Sequence, residues 1–471
     1  MTASPSWPGG KGGRRARAQE AERAAEALAE ARADEIYRGI LRRAPEHDFE
    51  PTLERVRDAC DLLGEVHRAY PVIHLTGTNG KTSTARMIER IALELGLRTG
   101  RFTSPHLSSV RERIVIDGEP IAASRFVEVW DEVEPYIEIV DERSRAAGGP
   151  WLSFFEVFTV MAFAAFADAP VDVAVIEVGM GGRWDATNVA DGTVEVITPI
   201  ARDHERWLGH ELTQIAAEKA GIITEGSTVV IAEQVEEVAA VLGREVAARG
   251  ARAVVENRDI AVVARDLAVG GQVVSFHGLG GRYEDVFLPL HGAHQAHNAL
   301  LALAAVEAFL GGSALAADVV ERAFAAVESP GRLEVVRRSP TVLVDAAHNA
   351  AGVEALVAAL REAFGFTRLV GIVGLLADKD AEAVLGGLEP VLAEVVLSRS
   401  ASPRAMDTDV LADVARDVFG PDRVHVAERL DEAIDLAVGL AEATGEVHGT
   451  GVIATGSVTV VAEVRQLLGR P

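Results

Sequence analysis

The stretch that decides the fold is Val72-Ile73-His74-Leu75-Thr76-Gly77-Thr78-Asn79-Gly80-Lys81-Thr82-Ser83, with a helical run from Ala85 to Leu95 behind it. A strand that ends in a glycine turn and opens into a helix aims backbone N–H groups and a positive helix end at an anion. Gly77 and Gly80 let the backbone approach phosphate oxygens, and Lys81 adds a point charge for the β/γ oxygens. The hydroxyl of Thr82 or Ser83 can reach phosphate or Mg²⁺. The common nucleotide-loop spacing puts a glycine six residues before the lysine, and Leu75 stands there instead. The intact octet from Thr76 to Ser83, flanked by strand and helix, still reads as a triphosphate loop rather than a bare turn.

Outward from the loop, Val171 to Val178, Val194 to Thr198 and Thr228 to Ile231 read as further apolar strands with helices between them. That alternation predicts a parallel sheet covered on both faces. Ala253 to Leu290 has short alternating runs, several glycines and a clear strand at Val273 to Phe276, and reads as a small antiparallel part. After Pro330-Gly331 the chain restarts, with strands at Val342–Val344, Leu369–Val373, Val395–Leu397, Val424–Val426 and Val452–Ala454. This is a second, doubly wound α/β unit. Ahead of the loop, Glu20 to Arg43 and Leu53 to Leu63 read as helices, and residues 1–18 as a disordered tail rich in Gly, Pro and basic residues. The expected division is 1–18 tail, 19–329 nucleotide-binding domain with 253–290 its antiparallel part, and 330–471 C-terminal α/β domain. The 471 residues are too many for one ordinary core.

A formal net charge of −25 argues against nucleic acid as a partner. If the substrates are anions, the site must be locally positive, through lysines, arginines, helix N-termini or metal ions. Cys60 is the single cysteine, so no disulfide can form within the chain, which fits a cytoplasmic protein. No apolar run reaches the ~18 residues that span a bilayer. Val157 to Ala167 stops at Asp168 and Pro170, and the basic N-terminus has no apolar stretch behind it to make a signal peptide. A monomer with no membrane association is expected.

Other clusters can carry chemistry or only structure. Glu177, in Glu177 to Asn188, ends a strand, where ligands bind in open α/β sheets; its carboxylate suits Mg²⁺ or is a surface acid in a glycine-rich turn. His204, in Asp203-His204, follows a strand and is by itself more readily structural than a metal ligand. Lys219 reads by default as a solvated lysine on a helix. Phe154 and Phe155 read as core, Arg332 and Asp345 as an interdomain ion pair, and His294 and Asn298 equally as a helix N-terminal cap or as site residues.

Taken together, these segments resemble the Mur-type ATP-dependent amide ligases, and most closely the folylpolyglutamate synthase and dihydrofolate synthase family. Ser104-Pro105-His106-Leu107 with Glu112-Arg113-Ile114 is similar to its folate-site segment, and Ser153-Phe154-Phe155-Glu156 to its pterin-contacting segment. Glu177 to Asn188, Asp203-His204, Glu218 to Ile222, His294 to Asn298, Pro330 to Glu334, Asp345 to Asn349 and Asp378-Lys379-Asp380 match its other motifs in order. The chain departs from the pattern at Thr82, where the family more often has glycine, and at Ala350, where it has proline; His47 to Glu50 matches weakly.

The resemblance implies an ATP-dependent ligase that adds L-glutamate to reduced folates, and also to 7,8-dihydropteroate, through an acyl phosphate. It implies ATP contacts from Gly77 to Ser83, Asn298, Arg332 and Asp345. Mg²⁺, in two sites, would be held by Ser104, Glu177, His204 and Lys219, the last as a carbamate. A monovalent cation is implied as well. Lys81, Lys219 and His348 would be catalytic, and Ser153, Phe154, Phe155, Glu156, Trp184, Asp185 and Ala186 would bind substrate. Two rival readings are a cell-wall Mur ligase and a nucleotide switch. The first needs a further domain ahead of the loop, where only two helices fit. The second needs a guanine-reading Asn-Lys-x-Asp, and none is found.

Overall fold

The computed structural model describes residues 11–43, 50–443 and 449–470. Its strands form three sheets. The first holds β1 (Val72–Thr76), β2 (Thr99–Phe102), β3 (Ile114–Ile116), β4 (Glu119–Pro120), β5 (Val173–Glu177), β6 (Gly192–Ile197), β7 (Thr228–Ile231) and β8 (Arg252–Val255) in the order β4-β3-β2-β5-β1-β6-β7-β8. Pairing is parallel from β2 to β8, and β3 and β4 add an antiparallel edge. β9 (Ala261–Ala268), β10 (Gly271–His277) and β11 (Arg282–Leu288) form a small antiparallel sheet. The third sheet joins β12 (Glu334–Arg338), β13 (Thr341–Val344), β14 (Arg368–Val373), β15 (Glu394–Leu397), β16 (Val424–Val426) and β17 (Thr450–Thr455) in the order β12-β13-β17-β14-β15-β16, parallel but for β12.

Burial explains the continuous apolar runs. Every residue of β1 and β5 is buried, because helices cover both faces of the sheet. On one face Phe154–Asp168 and Ala123–Ala146 pack into a core with Phe126, Phe158, Phe163 and Phe166. On the other, Lys81–Glu94 lies beside Ala293–Phe309 and the helix Ala317–Ala325, and the small sheet packs on this layer with Phe276 against Phe324.

Several elements differ from the sequence expectation. Of the tail expected to be disordered, residues 1–10 lie outside the described residues, and the first helix already starts at Lys11, ending at Leu41. Of His47 to Glu50, only Glu50 is described. Residues 253–255, expected in the antiparallel part, pair in parallel with β7 as the edge of the large sheet. β2 has no apolar pattern, yet it sits beside β5 with all four residues buried. It is admitted there because Arg101 Nε donates to Glu89 Oε2 at 2.6 Å, a pair of almost fully buried side chains. That pair fixes the helix after the glycine loop to the sheet. Glu89→Ala leaves a buried guanidinium without its counter-ion and is expected to cost about 3–5 kcal/mol, read as a fall in the urea unfolding midpoint.

Candidate active site

One cleft of about 1350 Å³ opens where the C-terminal ends of strands from the first and third sheets face each other. Every residue singled out above as a site candidate lines it.

The glycine loop is shaped by close approach. At Gly77, φ is +146° and an added Cβ would lie 1.9 Å from Thr198 Oγ1. At Gly80, φ is +90° and a Cβ would lie 2.4 Å from the buried Asn298 Oδ1. Only glycine fits both constraints. The helix Lys81–Glu94 starts at Gly80 without a side-chain cap, so its first-turn N–H groups carry the positive end of the dipole. Lys81 Nζ donates to Gly77 O and Thr78 O at 3.1 Å each. Thr82, the departure from the family pattern, donates its hydroxyl to both Glu177 oxygens at 2.9 and 3.0 Å. A glycine there could not make this bond. Ser104 N adds a weaker bond to Glu177 Oε2 at 3.3 Å.

Lys219 corrects its default reading. It is 4% exposed, and Nζ donates to Gly77 O at 2.7 Å. A Cβ on Gly182 would meet the Lys219 backbone at 2.8 to 3.0 Å, so the Gly179–Gly182 turn closes over the end of the helix Leu212–Lys219. Burial, with the Lys81 charge in support, pushes the ammonium down to about 7. Burial pushes the Glu177 carboxyl up, against the pull of Lys81. His204 holds a left-handed φ of 52°, and burial pushes its imidazole down to about 4.

Within the expected metal set, Ser104 and Glu177 are in direct contact. The Thr82 hydroxyl and the Ser104 N–H both bond Glu177, whose carboxylate is the hard oxygen donor that Mg²⁺ prefers. His204 and Lys219 line the same cleft. Among the described residues no three His, Cys, Asp or Glu side chains come together as a metal centre.

A second wall is aromatic and cationic. Phe154 packs against Phe158 with centroids 4.7 Å apart and edge-on to Tyr37 at 6.1 Å, while the Arg113 guanidinium lies 4.9 Å above its ring. Arg113 Nε donates to His106 Nδ1 at 3.0 Å. Phe155 covers Gly179, whose Cβ would stand 2.5 Å from the ring. Ser153 and Glu156 form a capping box at the start of Phe154–Asp168, and Glu156 pairs with the buried Arg55 at 2.9 Å. These two residues therefore set the position of Phe154 and Phe155. Asp185 accepts from Met180 N at 2.9 Å and from Thr187 N and Oγ1 at 3.0 and 2.6 Å, holding the glycine turn. Trp184 N donates to Glu218 Oε1 at 3.3 Å, and Ala186 is buried.

Across the cleft, Asp345 accepts from Leu333 N and Ala347 N at 2.8 Å each, which folds the Arg332 turn onto β13. Burial pushes its carboxyl up, against the charge of Arg332. His348 and Asn349 reach Asp203 on the opposite wall, as does Lys379. Asp203, Asn349 and Lys379 stand inside motifs and carry no individual signal of this contact in the sequence. Tyr37 carries no sequence signal, since only the packing of the first helix brings it to the cleft.

Comparison with known proteins places this architecture. The Mur ligase middle domain matches residues 154–306, and the Mur ligase glutamate ligase domain matches residues 331–458. The dihydrofolate synthase/folylpolyglutamate synthase of Mycobacterium tuberculosis is 52% identical over 448 residues, covering 91% of this chain and 92% of that one. The folylpolyglutamate synthase of Lacticaseibacillus casei is 33% identical, covering 88% and 94%. The solved structure of the Mycobacterium tuberculosis folylpolyglutamate synthase complexed with ADP superposes with a TM-score of 0.90 at 50% identity, covering 95% of this chain and 99% of that one.

Gly80→Ala drives a Cβ into Asn298 and is expected to abolish binding of a fluorescent ATP analogue while the far-UV circular dichroism stays that of the unaltered chain. Binding at unchanged affinity would show that the loop tolerates a side chain there.

Proposed function

From the premise that this chain belongs to the folylpolyglutamate synthase and dihydrofolate synthase family of the Mur ligase superfamily, we propose that it uses ATP to join L-glutamate to a reduced folate and to 7,8-dihydropteroate. The observation that carries the reading is that one cleft has the glycine loop with Lys81 and Lys219 on one wall, the Phe154–Arg113 surface on the next, and Arg332 and His348 facing them. A phosphate loop, an aromatic wall beside a cation, and a closing face are what a ligase needs to bring ATP and a pterin carboxylate together.

The substrate carboxylate attacks the γ-phosphorus of ATP, and ADP leaves with the electrons of the broken P–O bond. The amine of glutamate then attacks the acyl phosphate carbon, loses a proton and expels inorganic phosphate, leaving the amide. Both steps bring anions together, so charge neutralisation and position carry the rate. Lys81 and the N–H groups of the loop take the β/γ-phosphates. Asn298, Arg332 and Asp345 take the nucleotide from the other sides, and His348 stands near the phosphate in transit. Ser104, Glu177 and His204 would hold Mg²⁺, which when bound supplies charge to the phosphate oxygens. A lysine buried and shifted as Lys219 is has a large neutral fraction near neutral pH, the form that adds CO₂ to give a carbamate and a second anionic ligand. Residues 19–329 and 330–471 act as two units that close around Ser329–Gly331, keeping water from the acyl phosphate. The enzyme works as a cytoplasmic monomer.

The test of substrate is direct. Phosphate release should require ATP, glutamate and a pterin acceptor together, and dihydropteroate should yield dihydrofolate by mass. Release that ignores both glutamate and acceptor would sink the ligase reading, whereas folate extension without dihydrofolate would remove only the second activity. Lys219→Ala should lower turnover by about 100-fold, with partial recovery in added acetate or formate, since a small carboxylate can stand where the carbamate would be. Full activity without rescue would end the carbamate role.

A further inference from the structure

Asp203 lies at the end of the segment after β6 and, with 9% side-chain exposure, is almost out of solvent. Its carboxylate takes three donors and faces a fourth polar atom. Oδ1 accepts from His204 N at 2.8 Å and Lys379 Nζ at 2.5 Å; Oδ2 accepts from Asn349 Nδ2 at 3.1 Å and faces His348 Nε2 at 3.2 Å. A carboxylate has about four lone-pair sites, and these four groups surround them. Three of the four groups come from the far wall of the cleft. Lys379 is itself only 6% exposed and finds its short ionic partner across the gap rather than on its own wall. Asn349 is tied a second time, in a reciprocal amide pair with Asn79 of the glycine loop at 3.1 and 3.2 Å. His348 Nδ1 lies 2.9 Å from Ala346 O, so both ring nitrogens are held and the ring has one orientation.

We propose that Asp203 is a positioning residue of the ligation reaction: it fixes the His348 ring and the Lys379 ammonium against the glycine loop, so that the cleft closes in one geometry. A buried ion pair whose partners sit on opposite walls specifies a register as well as holding the walls together. The inference rests on the ligase reading for its kinetic test, and one of its readouts needs no activity.

Asp203→Asn keeps the shape but sets an amide N–H₂ against either Lys379 or the His348–Asn349 pair. It is expected to lower kcat by about 100-fold, as a misplacement of the order of 1 Å does. The KM for ATP should stay within about threefold, the pattern of an interaction made late rather than of lost nucleotide binding. Hydrogen exchange should rise at residues 346–352 and 376–381, with a lower thermal midpoint from the unbalanced buried Lys379 charge, and this holds even if the substrate assignment fails. The double variant Asp203→Asn/Lys379→Met removes the unbalanced buried charge. It should restore any lost stability and leave kcat low. Recovery of kcat in the double variant, or a kcat within about threefold in Asp203→Asn alone, would reduce Asp203 to a structural clasp and overturn the proposal. If Asp203→Asn does not fold, Lys379→Met carries the same exchange and kinetic readouts, with Lys379→Arg expected to recover part of kcat.

Discussion

A strand that ends at Thr76 must become a helix at Lys81, and neither Gly77 nor Gly80 has room for a side chain. The rest of the cleft follows from this constraint. With no Cβ at Gly80, Asn298 can rest on the loop and bring the helix Ala293–Phe309 against Lys81–Glu94. With Gly77 turned outward, its carbonyl receives both Lys81 and Lys219, so two lysine side chains meet at one backbone oxygen. Thr82 is then placed to bind Glu177 from the neighbouring strand.

The charges at the cleft illustrate how an acidic protein can receive anions. A net charge of −25 is spread over the chain, yet Lys81, Lys219, Arg332 and Lys379 converge on one space. Burial works against each ionised form, pushing Lys219 down and Glu177 and Asp345 up. Asp203 is the exception. Burial would raise it, but the hydrogen bond from His348 and the charges of His204 and Lys379 outweigh that and hold it far below the ordinary carboxylate range. It therefore stays ionised where its neighbours are under strain to discharge, which suits a group that anchors others.

Much of the site was legible in the sequence because its parts are local. Loop, strand-end carboxylate and motif pairs each sit within a few residues, and parallel strands buried on both faces read as plain apolar runs such as Val173–Glu177. What was not legible depends on partners far along the chain. β2 looks too polar for a central sheet until Arg101 meets Glu89. Lys219 looks solvated until the turn at Gly182 closes over it. Residues 253–255 show no sign of whether they continue the large sheet or begin the small one, since an edge strand of mixed burial fits either.

The sequence by itself determined the α/β class, the glycine loop between strand and helix, and the family, because each rests on residue types at fixed short spacing. Only the tertiary structure decided that Tyr37 of the first helix joins Phe154 and His106, that Thr82 is bonded to Glu177, and that Asp203 gathers three groups from the opposite wall. The reason is physical: a carboxylate that accepts from residues 145 and more positions away is specified by how two sheets face each other. No local pattern encodes that distance.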